Sequence, residues 1–217
     1  MISKAENFEK LLAAVPVMPV VTIVSADTAA DLARALLRGG IGAIEVTLRT
    51  PAAIAAIEAI AREVPDIAVG AGTVLSGADL KSAADAGAGF AISPGSTPGL
   101  LIAGRKSGIP FLPGVASASE IQMGMDAGYS CFKYFPAGGA GGIAALRAFA
   151  APFPQLRFCA TGGITADSAQ AYLDLPNVLS VGGSWIAPTD LIARREWSVI
   201  ETRARDAATC FKRKLVR

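Results

Sequence analysis

A lysine inside an apolar, aromatic run is the first residue in this chain whose position invites chemistry. The run is Cys131-Phe132-Lys133-Tyr134-Phe135-Pro136, and it reads as a strand closed by proline. Lysine is depleted in strands and is rarely buried without a reason. Burying an ammonium strips its hydration and favours the neutral amine, which is a nucleophile. The plainer alternative is a snorkelling lysine on an edge strand, with its charge in water. A second charge out of place is Glu45, within Ala43-Ile44-Glu45-Val46-Thr47-Leu48. If both side chains point to the same interior, they can meet. They then form either a structural buried ion pair or an amine with a carboxylate that moves protons. An amine of this kind attacks a ketone to give an imine, which serves as an electron sink. The other lysines, at 4, 10, 81, 106, 212 and 214, fall in helical or terminal segments that can place them in solvent.

Histidine is absent from all 217 residues. Histidine metal sites, Ser-His-Asp triads and histidine acid–base catalysis are therefore excluded. Cysteines at 131, 159 and 210 have neither metal-ligand spacing nor the pattern of a disulfide framework. Two of them lie in apolar strand-like runs, where a small buried hydrophobe is the usual role. No metal and no cofactor are expected.

Other groups fall where strands end. Arg49 follows the Glu45 strand, and its fork suits a substrate carboxylate. Its alternative is a surface arginine. Thr73, after Gly70-Ala71-Gly72, can donate to the same carboxylate or act as a turn hydroxyl. Phe135 can wall an imine off from water while also serving as core. Thr161-Gly162-Gly163 and Gly182-Gly183-Ser184 close the last two strands. Glycine pairs there leave backbone N–H groups open, so that with a following helix N-terminus they make a phosphate cradle. Each pair alone would also be explained by a tight turn.

These positions require a scaffold that gathers strand ends. The pattern supplies about eight apolar strands, at 17–24, 43–48, 67–71, 90–93, 109–112, 131–136, 157–160 and 178–181. Helical patterns alternate with them, at 27–39, 51–62, 76–86, 98–106, 117–126, 142–149 and 165–173, and a last one runs from Trp197 to Val216. Such alternation implies parallel strands with right-handed crossovers. Eight units in this length predict an α/β fold, a closed (β/α)8 TIM barrel, with an additional N-terminal helix at 3–14. The strands lack polar–apolar alternation, as expected when both faces are covered. A Rossmann-like sheet is the alternative, weakened by the absence of Gly-x-Gly-x-x-Gly after the first strand. No domain boundary is visible, so residues 1–217 read as one domain. The stretch from Pro136 to Gly142 reads as a βα-loop directly above the lysine.

A net charge of +2 gives no reason to expect a nucleic-acid partner. The basic end, Lys212-Arg213-Lys214 with Arg217, reads as a solvated tail. The N-terminus lacks signal-peptide features, and no run suits a membrane span. Cytoplasmic localisation, with no membrane partner, is the expectation.

In order along the chain, several motifs together resemble the bacterial 2-keto-3-deoxy-6-phosphogluconate aldolases, which also act as 4-hydroxy-2-oxoglutarate aldolases. The motifs are Glu45-Val46-Thr47-Leu48-Arg49-Thr50, Gly70-Ala71-Gly72-Thr73-Val74, Ile92-Ser93-Pro94-Gly95, Phe132-Lys133-Tyr134-Phe135-Pro136-Ala137, Thr161-Gly162-Gly163-Ile164 and Gly182-Gly183-Ser184-Trp185. The likeness runs from about Val17 to Trp185. It implies a cofactor-independent class I aldolase, usually a homotrimer. Such an enzyme cleaves 2-dehydro-3-deoxy-6-phosphogluconate to pyruvate and glyceraldehyde 3-phosphate in the Entner–Doudoroff pathway. Lys133 matches the Schiff-base lysine and Glu45 the general acid/base. Arg49 and Thr73 match the residues around the pyruvate carboxylate, with Phe135 beside them. Thr161, Gly162, Gly163 and Ser184 match the phosphate-binding set. Three places depart from the commonest pattern: Gly138-Gly139-Ala140 where relatives often carry Glu or Asn, Ala160 in place of proline, and Tyr134 in place of phenylalanine. Two other readings compete with the aldolase: an isomerase on a phosphate-binding barrel, and a sugar-phosphate binding protein without catalysis.

Overall fold

The computed structural model describes residues 4–211. Its strands are β1 Val17–Val21, β2 Ala43–Thr47, β3 Ala68–Gly72, β4 Phe90–Ile92, β5 Phe111–Leu112, β6 Gly114–Val115, β7 Cys131–Tyr134, β8 Arg157–Thr161 and β9 Val178–Gly183. Between them run α2 Ala29–Arg38, α3 Ala53–Glu63, α4 Gly77–Asp85, α5 Pro98–Lys106, α6 Ala118–Asp126, α7 Gly142–Ala150 and α8 Ala166–Leu173. α1 Lys4–Ala14 precedes the first strand, and α9 Thr189–Ala193 and α10 Trp197–Cys210 follow the last.

All strand pairs are parallel, in the order β5-β4-β3-β2-β1-β9-β8-β7-β6. The two ends of this ladder, β5 and β6, are separated only by Pro113. They are two pieces of one stave, so the sheet closes as an eight-staved barrel of the TIM type. The sequence pattern ends the fifth strand before Pro113, whereas the chain stays extended through it. Proline lacks the N–H for the ladder, yet its carbonyl accepts the Lys133 N–H at 2.9 Å. Gly114 N–H turns instead to the buried Ser93 hydroxyl at 3.0 Å.

Local chemistry starts the helices where the pattern predicts. Ser76 with Asp79 and Ser117 with Glu120 form reciprocal capping boxes on α4 and α6. Thr97 caps α5, with Pro98 in its first turn. Gly39-Gly40 ends α2, and Gly40 takes φ +88°. Other boundaries move. β1 stops at Val21 although the apolar run continues to Val24, because Ile23 turns its carbonyl to the Thr50 hydroxyl. α9 is a single short turn without a periodic signal. α10 ends at Cys210, with Phe211 extended. The predicted continuation to Val216 and the basic tail from Lys212 lie outside the described residues. No described helix is long and apolar enough to cross a membrane.

Side chains alternate across each stave. On the outer face of β7 and β8, Phe132, Tyr134 and Phe158 pack with Phe149 of α7. On the inner face, Phe90 lies over Gly70, and Phe8 from α1 packs against it in a tilted pair, at 5.0 Å between centroids. The N-terminal helix thus closes the bottom of the barrel with aromatic surface.

Candidate active site

The upper interior of the barrel is polar. Glu45 on β2 and Lys133 on β7 both point inward from staves on opposite sides, and Lys133 Nζ lies 3.0 Å from Glu45 Oε1. Their side chains are 1% and 5% exposed, unlike every other ion pair among the described residues. Lys10, Lys81 and Lys106 are exposed, as the helical pattern predicts for them. Desolvating two charges costs more than a surface pair does, and the cost is offset only by close geometry. Here it is the absence of a side chain that makes room. A Cβ on Gly72 would sit 2.2 Å from Glu45 Oε1.

The β7 register sets Lys133 beside Cys159 of β8. Burial, with the Glu45 charge adding to it, pushes the Cys159 thiol up to about 11, so it stays protonated at neutral pH. Its Sγ approaches Thr161 Oγ1 at 3.9 Å. Thr161, predicted in the phosphate set, therefore turns its side chain into the barrel, packed over Gly182. Thr47, two residues beyond Glu45, also faces in and bonds to the Val21 carbonyl and the Thr22 hydroxyl, each at 3.0 Å. Ser93 stands in the Ile92-Ser93-Pro94-Gly95 motif at the end of the fourth strand, Cys159 reads from sequence only as a small buried hydrophobe, and Thr47 carries no signal of its own there. The signal that would have found Cys159 and Thr47 is the period of two from Thr161 and Glu45.

Around the mouth, Arg49 Nε donates to Thr73 Oγ1 at 3.0 Å. Arg49 is exposed and takes part in none of the ion pairs among the described residues, which leaves its guanidinium charge available to an anion. Thr73 holds φ +58°, a left-handed backbone that is rare for a β-branched residue. Phe135 is half-buried, its ring centroid 5.4 Å from Lys133 Nζ and its Cδ2–Cε2 side against Gly162. Gly162 and Gly163 take φ +98° and +73°, and neither N–H donates to a backbone carbonyl among the described residues. Ser184 is exposed in the turn after β9. No helix starts directly behind it, since α9 begins five residues on and is short.

Lys133, Glu45 and Phe135 thus come together at the centre, Arg49 with Thr73 on the β2–β3 side, and Gly162, Gly163 and Ser184 on the β8–β9 side. No group of three or more Cys, Asp or Glu side chains among the described residues is placed to hold a metal. A cleft of about 190 Å³ lined by Phe8, Arg105, Tyr129 and Cys131 opens at the other end of the barrel. It contains none of these groups.

Known proteins share this arrangement of chain. The family model described as KDPG and KHG aldolase matches residues 8–203. A 2-dehydro-3-deoxy-phosphogluconate aldolase from Pseudoalteromonas atlantica is 50% identical over 88% of this chain and 89% of its own. The KHG/KDPG aldolase of Escherichia coli is 47% identical over 92% of this chain and 93% of its own. A crystal structure of KDPG aldolase from Legionella pneumophila, with pyruvate captured as a covalent carbinolamine, superposes with a TM-score of 0.90. It has 50% identity and covers 92% of this chain and 97% of that one. The chain belongs to the KDPG and KHG aldolase family.

Proposed function

We propose that this protein is a class I aldolase that cleaves 2-dehydro-3-deoxy-6-phosphogluconate to pyruvate and glyceraldehyde 3-phosphate. The observation that carries the reading is the buried Lys133–Glu45 contact of 3.0 Å at the barrel centre. Glu45 takes a proton from Lys133, freeing the amine to add to the substrate's C2 carbonyl. The carbinolamine loses water to give an iminium, with Glu45 as the acid that protonates the leaving hydroxyl. Glu45 then accepts the C4 hydroxyl proton as the C3–C4 bond breaks. The bonding pair moves into the iminium to give an enamine, and the aldehyde leaves. Protonation at C3 and hydrolysis release pyruvate and restore the amine.

The remaining roles follow from position. Arg49, held by Thr73, receives the carboxylate next to the ketone, and Phe135 covers the iminium from water. The N–H groups of Gly162 and Gly163 and the Ser184 hydroxyl take the phosphate, with Thr161 at the base of that set. Unphosphorylated 4-hydroxy-2-oxoglutarate enters the same site and yields pyruvate and glyoxylate. The family resemblance also supports a cytoplasmic homotrimer, which light scattering tests directly.

Borohydride reduction in the presence of pyruvate tests the mechanism. The expected result is a stable pyruvate adduct in the intact mass, mapped to Lys133. An unmodified chain would refute the imine, and with it the aldolase. An isomerase on the same barrel, or a binding protein without an imine-forming lysine, gives no adduct.

A further inference from the structure

The Tyr134 hydroxyl has no part in the chemistry above. Tyr134 follows Lys133 on β7, so its ring points the other way, to the outside of the barrel. It is fully buried there, edge-on to Phe149 at 6.0 Å and to Phe158 at 6.4 Å. Phenylalanine would fill that space without a polar atom. A buried hydroxyl is costly unless it is bonded, and this one donates to the Ala140 carbonyl.

Ala140 lies in the segment from Pro136 to Gly142, which contains Gly138, Gly139, Gly141 and Gly142. Ordering so many glycines is entropically expensive, so the segment needs tethers. Its backbone ties are Ala140 N–H to the Pro136 carbonyl at 2.8 Å and Gly142 N–H to the Ala137 carbonyl at 2.9 Å. Two more reach across to the strand-end glycines. Ala137 N–H donates to the Thr161 carbonyl at 2.8 Å, and Gly138 N–H to the Gly162 carbonyl at 2.9 Å. The second sets a direction. In a trans peptide the C=O and the following N–H are antiparallel. Holding the Gly162 carbonyl toward Gly138 therefore turns the Gly163 N–H away from the glycine segment.

We propose that Tyr134 is a positioning residue for phosphate recognition: its hydroxyl, through Ala140, holds the 137–142 segment against Gly162 and so presets the Gly162–Gly163 amides. This rests on the aldolase reading for the identity of the ligand.

Tyr134→Phe removes the hydroxyl and keeps the ring. Losing one hydrogen bond of ordinary net strength predicts a roughly 5- to 10-fold rise in KM for the phosphorylated substrate, with kcat at saturation nearly unchanged. Inorganic phosphate as a competitive inhibitor should weaken by the same factor. Half-saturation for pyruvate in borohydride trapping should not move, because the pyruvate end of the site is on the other side of Lys133. Hydrogen exchange in the 137–142 segment should speed up in the variant, whatever the enzyme's activity. Equal losses with phosphorylated substrate and pyruvate, or no change in phosphate inhibition and exchange, would overturn the tether. A variant that fails to fold would also overturn it, because the hydroxyl would then be a determinant of the fold. Absence of a pyruvate adduct in the unmodified protein would count against the aldolase reading alone, leaving the exchange measurement to judge the tether.

Discussion

Gly70 and Gly72 stand two residues apart on β3, facing the same interior, and each gives up its side chain to a neighbour. Above Gly70 the space is filled by the Phe90 ring, 2.0 Å from where a Cβ would stand. Above Gly72 it is filled by the Glu45 carboxylate, at 2.2 Å. The same device therefore builds a hydrophobic plug in one layer and half of a reactive ion pair in the next. Below, Phe8 of α1 completes the apolar layer. Above, Lys133 reaches Glu45, and Cys159 and Thr161 line the wall. One residue type at one spacing serves stability at the base and chemistry at the mouth, and only position along the barrel axis separates them.

Removing the amine should have the largest effect. Lys133→Ala is expected to abolish both turnover and borohydride trapping. It also leaves the Glu45 charge buried without a partner, at a cost of roughly 3–5 kcal/mol. Chemical denaturation would measure that loss. Next comes the comparison itself. Gly72→Ala should displace the carboxylate and lower kcat by about 100-fold or more, the scale of lost acid–base catalysis. Gly70→Ala should cost ~1–3 kcal/mol of stability through overpacking, with turnover per folded molecule retained. Steady-state kinetics and melting curves on the two variants decide the matter. If Gly70→Ala loses turnover while folded, or Gly72→Ala keeps it, the two layers are not separate in function.

At the rim, Thr73→Gly should raise the pyruvate half-saturation several-fold by releasing Arg49. Stability should stay within about 1 kcal/mol, because relief of the φ +58° backbone offsets the added chain entropy. A proportional fall in stability would assign Thr73 to the fold rather than to the substrate. The smallest effect is on pH dependence. Unfolding exposes Cys159, whose thiol then ionises near its ordinary 9.0 instead of about 11. The unfolded chain therefore binds fewer protons between these values. The contribution is fully present below pH 9 and is lost as pH rises toward 11. Replacing Cys159 by Ala should flatten that slope. In native labelling the exposed Cys210 should react with iodoacetamide while the buried Cys131 and Cys159 do not.

Much of this was legible in the chain because burial makes polar residues conspicuous. Lys133 in Phe-Lys-Tyr-Phe and Glu45 in Ile-Glu-Val stand out against apolar strands whatever the fold. Helix starts were legible because Ser76, Thr97 and Ser117 act on the turn that follows them. The resumption of the fifth stave beyond Pro113 was hidden, because proline is a local stop signal and the pairing that overrides it comes from β7. The inward turn of Thr161 was hidden by its neighbours, since Thr-Gly-Gly reads equally well as a phosphate turn. Tyr134 stands out in the chain only as a tyrosine in place of phenylalanine; the role of its hydroxyl was hidden, because its partner, Ala140, belongs to a segment of glycines with no periodicity.

By itself the sequence determined the alternation of strands and helices, the absence of histidine chemistry, and the two charges that had to be explained. Those follow from composition and period, which act between residues close in the chain. The tertiary structure decided that Lys133 and Glu45 touch, that glycines on β3 make room for one of them, and that a tyrosine hydroxyl reaches Ala140. These depend on barrel closure and stave register. Closure brings residues 88 positions apart to within 3.0 Å, a distance that no local pattern encodes.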